Sequence, residues 1–312
     1  MTTGIIAITG ATGFVGTQLV EQLRNSGRSL RLLVRTPQAV QHSDAELVQG
    51  DLASTEALDA LCVNASAVIH CAGRISACSR AEFDDVNVSG TQRILQAAQG
   101  AGVSRFIHVS SLAAREPAVS DYAASKQAGE QAVQQLDGDM DRIVLRPPAV
   151  YGPGDKATLP LIKQLTRRIA LVPGTRSGRA SLIHVRDLAS GIAHVVLNED
   201  LPGGIYELDD GKQDGYSWCE LSRAAGEAEG HKVSCVFLPK SMLKLAGVVE
   251  LALAKRARRA PEVTPGKVRE LYHPDWVCRH NLLQEHSAWA PLVPLADGLR
   301  ETTTWYRRQG WL

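Results

Sequence analysis

The chain lacks a charge excess, an internal repeat and any apolar run long enough to cross a membrane. Its 34 basic and 33 acidic side chains leave a net charge of +1, so no electrostatic attraction to nucleic acid is predicted. With 312 residues, 44% of them hydrophobic, the chain can bury one large core and a smaller second one. We therefore expect one or two globular domains and no nucleic-acid partner.

Paired cysteines are also missing, which excludes a disulfide scaffold and a zinc site of the usual spacing. The six cysteines show no CxxC spacing and no neighbouring histidine cluster, and they stand at positions 62, 71, 78, 219, 235 and 278. The N-terminus shows no secretory signal and opens directly into an apolar stretch. We expect reduced thiols, no metal site and a cytoplasmic protein.

One apolar stretch, residues 241–254, is followed by the basic segment 255–259. A membrane span needs ~20 apolar residues, whereas this stretch is shorter and contains Lys244 and Glu250. It predicts an amphipathic helix with a solvated basic end. Peripheral contact with a membrane or with a store of apolar substrate is the alternative.

A glycine-rich segment at residues 9–16 has the pattern of a dinucleotide phosphate site. Residues 4–8 before it predict a buried parallel strand, and residues 14–23 after it repeat apolar side chains at helical spacing. Such a turn lets the backbone approach a pyrophosphate, and the helix N-terminus offers N–H groups and a partial positive charge. The glycines stand at Gly10, Gly13 and Gly16, which differs from the common G-x-G-x-x-G spacing.

The following residues continue an alternation of strand and helix. Short apolar runs predict five more strands, at residues 30–35, 45–48, 67–71, 106–110 and 143–146. Helical segments lie between them, notably at residues 56–62, 91–100 and 121–136. This alternation is typical of an α/β Rossmann fold, a doubly wound parallel sheet with helices on both faces.

Tyr122 and Lys126 are well placed for acid–base chemistry. They stand four residues apart in a predicted helix, so their side chains share one face. A free phenol has a pKa near ~10, which a neighbouring ammonium and an oxidised nicotinamide would both lower. Ser111 ends the fifth strand, where its hydroxyl can hold a substrate carbonyl oxygen. Together with the glycine turn, these residues predict a nicotinamide-dependent enzyme.

The motifs together resemble the extended branch of the short-chain dehydrogenase/reductase superfamily. They follow in the expected order at residues 9–16, 50–52, 70–73, 86–91, 109–111, 122–126, 146–154 and 183–187. The resemblance implies an NAD(P)-dependent oxidoreductase with a Rossmann domain and a smaller C-terminal substrate-binding annex. Within this epimerase/dehydratase-like branch, the pattern is most similar to that of 3β-hydroxysteroid dehydrogenases and dihydroflavonol reductases.

The resemblance also implies roles for single residues. The implied catalytic residues are Ser111, Tyr122, Lys126 and Asn87. Asn87 would support Lys126 through a water, although a helix-capping or helix-kinking role is the alternative, and Asp51 would hydrogen-bond adenine. The residues implied in cofactor binding are Gly10, Thr12, Gly13, Phe14, Val15, Gly16, Arg35, Asp51, Leu52, Cys71, Ala72, Gly73, Tyr122, Lys126, Pro147 and Val150.

The residue after the second strand indicates which dinucleotide to expect. An acidic side chain there binds the ribose 2′-hydroxyl of NAD. This chain instead has Arg35, whose planar cation suits the 2′-phosphate of NADP. We expect NADP as the cofactor; NAD is the alternative if Arg35 is simply an exposed charge.

The resemblance further implies how the chain is divided and assembled. Residues 1–150 form the dinucleotide-binding domain, to which 181–199 return, and 151–180 with 200–312 form the annex. Homodimers of this branch often form through two helices, here within 87–100 and 121–136. Their apolar residues exceed what one sheet face needs, namely Ile94, Leu95, Ala97, Ala98, Ala123, Ala124, Ala128, Ala132 and Val133. We therefore expect a homodimer.

Two departures from the nucleotide-sugar enzymes favour an apolar substrate. Those enzymes often carry a Tyr-Gly or acidic extension after the strand-five serine, where this chain has residues 112–115. They also place an arginine where this chain has Ala180, and Arg179 is one residue out of register. We expect interconversion of a secondary alcohol and a ketone on a small or medium, fairly apolar substrate. The alternatives are a nucleotide-sugar epimerase or dehydratase and a non-catalytic, redox-sensing dinucleotide-binding protein.

Overall fold

A parallel sheet of seven strands forms the centre of the computed structural model, which describes residues 4–24, 26–40 and 44–312. The strands are β1 (Ile5–Thr9), β2 (Ser29–Val34), β3 (Glu46–Gln49), β4 (Ala65–His70), β5 (Arg105–Val109), β6 (Asp141–Arg146), β7 (Ala149–Tyr151), β8 (Ile169–Val172), β9 (Arg179–Ala180), β10 (Leu182–His184), β11 (Gly204–Glu207), β12 (Tyr216–Ser217), β13 (Ser234–Phe237) and β14 (Asp275–Trp276). The helices are α1 (Phe14–Arg24), α2 (Thr55–Cys62), α3 (Arg80–Asp84), α4 (Gly90–Gly100), α5 (Asp121–Gln135), α6 (Leu159–Leu165), α7 (Val185–Leu197), α8 (Trp218–Glu229), α9 (Lys240–Ala257), α10 (Pro265–Leu271), α11 (Leu283–His286) and α12 (Leu295–Arg308).

The seven central strands lie in the order β11-β6-β5-β4-β1-β2-β3, and every neighbouring pair is parallel. With helices packed on both faces, this arrangement confirms the predicted Rossmann fold of the α/β class. The order reverses between β1 and β4, because β2 and β3 extend the sheet on one side of β1 and β4 returns on the other. The carboxyl ends of β1 and β4 therefore border the crevice where doubly wound folds bind ligands.

Each face of the sheet is covered by an apolar layer. On one face, α1 and α7 bury Leu19 and Leu188 against the strands. On the other face, α2 and α4 bury Leu58 and Ile94. Because both faces are covered, a strand residue such as Ile8 is fully buried, which explains the unbroken apolar runs in the sequence.

The structure adds to the sheet a strand that the sequence analysis assigns to the annex. Residues 204–207 form β11 and pair with β6, although 200–312 are predicted as annex. A four-residue strand has no periodic signal of its own, and its place depends on the open edge of β6. The segment 181–199, predicted to return, contains β10 and α7, and α7 packs in the same core as α1. The division of the other residues into domain and annex stays a prediction.

The two helices of the expected homodimer use most of their apolar residues inside one chain. Six of the nine residues named for this interface are buried in the monomer: Ile94, Leu95, Ala97, Ala98, Ala123 and Val133. Ala124, Ala128 and Ala132 of α5 stay partly exposed. The apolar excess is therefore smaller than the sequence suggests, and the homodimer stays a prediction.

The apolar stretch at residues 241–254 lies within α9, which runs from Lys240 to Ala257. Its Ala254 is fully buried, while much of the rest of the helix is exposed. Among the residues that the structure describes, no helix combines the length and the apolar character needed to cross a membrane. Helix α9 is thus a surface helix.

Arg105, at the start of β5, holds the loop after α7 against the amino edge of the sheet. Its guanidinium donates to the carbonyl oxygens of Val195 and Leu201 at 2.9 and 2.7 Å, and to that of Asn198. It also donates to the carboxylate of Asp141 at 2.7 Å. Because only 10% of the side chain is exposed, one cation satisfies several carbonyl groups that water does not reach easily.

We expect Arg105→Met to lower the free energy of unfolding by roughly 3–5 kcal/mol, because Asp141 and several carbonyls lose their donor. Arg300 of α12 is the matched control. It pairs with Asp297 at 2.8 Å, but 57% of its side chain is exposed. Arg300→Met should therefore cost less than ~0.5 kcal/mol. Urea unfolding followed by circular dichroism measures both variants, and equal losses would contradict the role given to Arg105.

Candidate active site

The turn between β1 and α1 is closely packed at its glycines. Gly10 has a φ of +75°, and a Cβ atom on it would lie 2.5 Å from the main-chain nitrogen of Ala72. A Cβ on Gly16 would lie 2.1 Å from the carbonyl oxygen of Gly10. Thr12 and Gly13 are exposed at the tip of the turn, just before the first residue of α1. The turn thus presents bare backbone beside the free amides of a helix N-terminus.

The segment after β4 runs directly beside this turn. The amide of Cys71 donates to the carbonyl oxygen of Thr9 at 3.2 Å. A Cβ on Gly73 would lie 3.5 Å from Oδ1 of Asn87 and 3.8 Å from Nζ of Lys126. The fold therefore brings together the predicted cofactor residues of β1 and β4 and two of the predicted catalytic residues.

Three further predicted cofactor residues lie at the carboxyl ends of β2 and β3. Arg35 is exposed directly after β2, and β2 pairs with β1. The carboxylate of Asp51, which is also exposed, accepts a hydrogen bond from the amide of Ala53 at 2.8 Å. Leu52 packs against Gly90 at the start of α4, where a Cβ would lie 2.8 Å from its Cδ1. All three residues border the same edge of the sheet.

The remaining predicted cofactor residues support the surrounding loops. Phe14 lies beside Gly154, whose Cβ would be 3.8 Å from Cδ2 of the ring. The carbonyl of Pro147 accepts the amide of Leu112 at 2.8 Å, which fixes the loop after β5. Val15 and Val150 pack partly against the core. Their contact with a cofactor stays a prediction.

Lys126 is a buried cation, with only 4% of the residue exposed. Its Nζ donates to the carbonyl oxygen of Val109, at the end of β5, at 2.9 Å. Burial lowers the pKa of Lys126 from 10.5 to about 8, although the carboxylate of Glu130 acts in the opposite direction. The ammonium therefore releases its proton far more readily than that of an exposed lysine.

Asn87 lies in a π-helical turn and is 2% exposed. Its Oδ1 accepts the amide of Arg74 at 2.8 Å, and its Nδ2 donates to the carbonyl of Arg74 at 3.0 Å and to Oγ of Ser125 at 2.9 Å. These bonds tie the loop after β4 to α5, in the turn that also holds Lys126. The side chain does not cap a helix end, but its place in a π-helical turn fits the kink alternative, and its support of Lys126 stays a prediction.

Ser111 and Tyr122 lie beside each other near the end of β5. Oγ of Ser111 accepts the amide of Ala113 at 3.2 Å, and the Ser111 side chain lowers the pKa of the Tyr122 phenol against the effect of burial. Tyr122 is in the first turn of α5, and its ring centroid is 6.0 Å from that of Phe83. Two hydroxyl groups are therefore available to one oxygen atom of a substrate.

Burial dominates the pKa of Tyr122, whereas the lowering expected beside an oxidised nicotinamide stays a prediction. Burial raises the pKa of its phenol above 10, and the Glu270 carboxylate raises it further, while Ser111 and Lys267 oppose the shift. The ammonium of Lys126, expected to lower this pKa, is instead directed at the carbonyl of Val109. The phenol is therefore protonated at neutral pH.

Glu130, one turn after Lys126 on α5, is a group that the sequence analysis missed. It is 2% exposed and accepts hydrogen bonds from Oγ of Ser110 at 2.5 Å and from Nε of Arg146 at 2.9 Å. Its negative charge raises the pKa of Lys126 against the effect of burial. The spacing of four residues from the lysine was a visible signal for this role.

A second missed group comes from α10. Glu270 is 8% exposed and accepts hydrogen bonds from Oγ of Ser120 at 2.5 Å and from Nζ of Lys267 at 3.0 Å. Ser120 also caps α5, since its Oγ accepts the amide of Ala123 at 3.0 Å. This contact places α10 on the helix that carries Tyr122. No local pattern links two residues that are 150 positions apart.

Two buried histidines lie near Lys126. The ring of His70 is bonded to Oγ1 of Thr9 at 2.7 Å and to Oγ1 of Thr91 at 3.1 Å, and His108 stacks on it at 5.4 Å. Burial lowers the pKa of His70 to about 3 and that of His108 well below 6.5. Both rings are therefore neutral at neutral pH, and they add no charge next to the lysine.

This arrangement fits a dinucleotide and a substrate that exchanges a proton. The bare backbone at Gly10 and the start of α1 suits a pyrophosphate, because a side chain at Gly10 would collide with the chain after β4. Exposed Arg35 lies where a doubly wound fold binds the adenosine ribose. Ser111 and Tyr122 offer hydroxyls to a substrate oxygen. A bound nicotinamide would exchange the hydride.

Comparison with known proteins identifies a family and relatives that cover most of the chain. The profile described as the NAD dependent epimerase/dehydratase family matches residues 6–208. The chain is 40% identical over 316 residues to a ceramide reductase of Caulobacter vibrioides, a match that covers 99% of this chain and 96% of that protein. It is 28% identical over 262 residues to a 3β-hydroxysteroid dehydrogenase/Δ5→4-isomerase of Mycobacterium tuberculosis, covering 73% of this chain and 70% of the relative.

Solved structures show the same fold. The UDP-glucose 4-epimerase of Bifidobacterium longum, in complex with NAD+ and UDP, aligns with a TM-score of 0.73 at 19% identity. The alignment covers 98% of this chain and 99% of the epimerase chain. At this identity the likeness establishes the architecture alone.

We expect Lys126→Met to stabilise the protein while it weakens cofactor binding. The lysine titrates at about 8 in the folded state and at 10.5 otherwise, so the folded state binds fewer protons and the buried charge costs stability below pH 8. Removing it should raise the free energy of unfolding at neutral pH by roughly 1–3 kcal/mol. The gain should shrink as the pH rises from 8 to 10.5, because the lysine then becomes neutral in the folded protein.

Urea unfolding at a series of pH values measures this difference. Lys212 is exposed, and Lys212→Met should change stability by less than ~0.5 kcal/mol at every pH. A Lys126→Met variant that is less stable than the unsubstituted protein at neutral pH would contradict the assignment of a costly buried charge.

Proposed function

Because the chain belongs to the NAD dependent epimerase/dehydratase family, we propose that it reduces a ketone on a ceramide-like lipid to a secondary alcohol, with NADPH as the hydride donor. Membership confirms the resemblance to the extended short-chain dehydrogenases/reductases. The chain is an NAD(P)-dependent oxidoreductase of that type. The alternative of a non-catalytic dinucleotide sensor is therefore set aside.

The position of the Tyr122 phenol and the Ser111 hydroxyl, both near the end of β5, is the observation that carries the proposal. Reduction of a ketone places negative charge on the oxygen, which then takes up a proton. Tyr122, kept protonated by burial, suits the role of proton donor, and Ser111 suits that of a hydrogen-bond donor to the same oxygen. Bound NADPH supplies the hydride, and these two side chains act on the oxygen.

Lys126 and Asn87 take supporting roles in this proposal. The buried cation of Lys126 favours negative charge on the substrate oxygen and can return a proton to the site, because its pKa is about 8. Asn87 fixes the loop at Arg74 and the turn at Ser125, so we assign it the positioning of Lys126 and of the loop after β4.

A ceramide-like ketone is the substrate class that the relatives support best. The Caulobacter protein is named a ceramide reductase, and it aligns along nearly the whole of both chains. The mycobacterial relative is named a hydroxysteroid dehydrogenase, which again means alcohol and ketone chemistry on a largely apolar compound. Both names agree with the apolar character expected from the sequence, whereas a ceramide is larger than the small or medium substrate expected there.

The contacts that Arg179 makes within the protein argue against a nucleotide-sugar substrate. Its Nε donates to the carbonyl of Asp214 at 2.6 Å, and its guanidinium pairs with Glu220 at 3.3 Å. An arginine held in this way is already occupied within the protein. The next residue, Ala180, has no charge to offer a sugar diphosphate.

We expect Tyr122→Phe to lower kcat by ~10²–10⁴, because the ring stays but the proton donor is lost. KM should change little, since the ring still shapes the site. Tyr206→Phe is the control. Tyr206 lies in β11, outside the site, and its hydroxyl donates to the carbonyl of Pro202 at 2.9 Å. The consumption of NADPH with a ceramide-type ketone measures both. Near-normal turnover of Tyr122→Phe would refute the proton donor.

We expect the unsubstituted protein to bind NADPH ~10- to 150-fold more tightly than NADH, the effect of one charge-assisted contact from Arg35 to the 2′-phosphate. Arg35→Asp should reverse much of this preference by repelling the phosphate. Arg24→Asp, at the exposed end of α1, should leave the preference unchanged. Titration calorimetry with each nucleotide measures the ratio. Equal affinities in the unsubstituted protein would favour the NAD alternative.

A further inference from the structure

Helix α9 presents a row of exposed apolar side chains. This α9 face consists of Met242, Leu245, Val248, Val249 and Leu253, each of which is 50–67% exposed. Most of them recur at intervals of three or four residues, and Ala254 lies buried on the inner side. Single exposed apolar residues are common on proteins, but a continuous row of this length indicates an interaction surface.

Basic residues surround the α9 face. Residues 240–259 contain six Lys or Arg and one Glu, a charge of +5, so the rest of the chain carries −4 within the total of +1. The single acid, Glu250, pairs with Arg259 at 2.6 Å. Lys240 and Lys244 line a cleft with Arg269 of α10, whose Nε donates to the carbonyl of Val119 at 2.6 Å, so the two lysines are the cations that this cleft offers to a phosphate group.

The residues that follow α9 contact elements of the candidate active site. Oγ of Ser76 donates to the carbonyl of Pro261 at 2.5 Å, so the end of α9 is held to the loop that follows β4. Next in the chain, α10 docks on α5 through the hydrogen bond between Ser120 and Glu270. A partner on the α9 face would therefore lie close to the site that contains Tyr122.

We propose that the α9 face docks the protein on a membrane surface that contains anionic lipids. Helices with an apolar side and flanking cations lie in the membrane interface with the apolar side buried among the acyl chains. The cations of this segment match the negative headgroups. Docking here would let a lipid ketone pass from the bilayer to Tyr122. That last step rests on the proposed function, whereas the docking itself rests on the α9 face and its charge.

A second copy of this chain is a poorer occupant of the α9 face. A symmetric dimer sets the same patch of both chains against each other. Two segments of charge +5 would then face one another across an apolar contact, which is unfavourable. An anionic membrane instead offers an apolar interior together with charge of the opposite sign.

Co-sedimentation of the full chain with lipid vesicles tests the proposal. Vesicles of phosphatidylcholine and phosphatidylglycerol should bind the protein at least ~10-fold more strongly than vesicles of phosphatidylcholine alone. Leu245→Gln combined with Leu253→Gln should weaken binding to the mixed vesicles at least ~10-fold, because two apolar side chains no longer enter the interface. Lys255→Gln combined with Arg256→Gln should also weaken it, and added salt should reproduce that loss.

Matched substitutions elsewhere serve as controls. Leu292 is 83% exposed outside α9, so Leu292→Gln should bind vesicles like the unsubstituted protein. Lys212→Gln combined with Arg223→Gln removes two exposed charges outside α9 and should do the same. No binding to mixed vesicles, or equal binding by all variants, would overturn the proposal. So would a dimer in light scattering that Leu245→Gln and Leu253→Gln dissociate, because the face would then belong to a second copy.

Activity on a short-chain, water-soluble ketone separates this proposal from the proposed function. The α9 variants should reduce such a ketone as fast as the unsubstituted protein, because no residue of the α9 face is part of the candidate active site. Vesicle binding that depends on the α9 face, without reduction of any ketone, would support docking and contradict the proposed function instead.

Discussion

The close contact between the chain after β1 and the chain after β4 fixes the geometry on which the rest of the site depends. At Gly10 nothing larger than hydrogen fits against Ala72, and Gly16 seats α1 on the same turn. The glycine turn and the loop after β4 are therefore parts of one surface. Asn87 extends this surface to α5 by bonding both to the loop and to Ser125. The helix that carries Tyr122 and Lys126 is thereby positioned relative to the glycine turn.

Burial gives this site its chemical character. Removing Lys126 from water makes its ammonium a readier proton source, and the same loss of solvent keeps the Tyr122 phenol protonated. The buried carboxylate of Glu130, one turn along the same helix and paired with Arg146 at the end of β6, limits how far the lysine pKa falls. Burying the charge of Lys126 costs stability, and the apolar layers on both faces of the sheet offset that cost.

The segment after α7 links this chemistry to the surface of the molecule. Glu270 of α10 accepts a hydrogen bond from Ser120, the N-cap residue of α5. It is also one of the charges that act on the pKa of Tyr122. The preceding helix, α9, is basic and apolar on its outer side. In the proposed docking, α9 would serve substrate entry, while α10 supplies a charge that acts on Tyr122 of α5.

The sequence by itself determined the order of strands and helices, the glycine turn and the presence of Tyr122 and Lys126 on one helix. These features depend on contacts between residues that are close in sequence, so the sequence pattern alone predicts them. Only the tertiary structure decided that β11 joins the sheet, that most apolar residues of α4 and α5 face inward, and that the pKa of Tyr122 is raised. The reason is that a pattern specifies which side chains share a face, whereas desolvation and charge depend on what covers it. In this protein, one of the charges that act on Tyr122 is Glu270, which comes from α10, far along the chain.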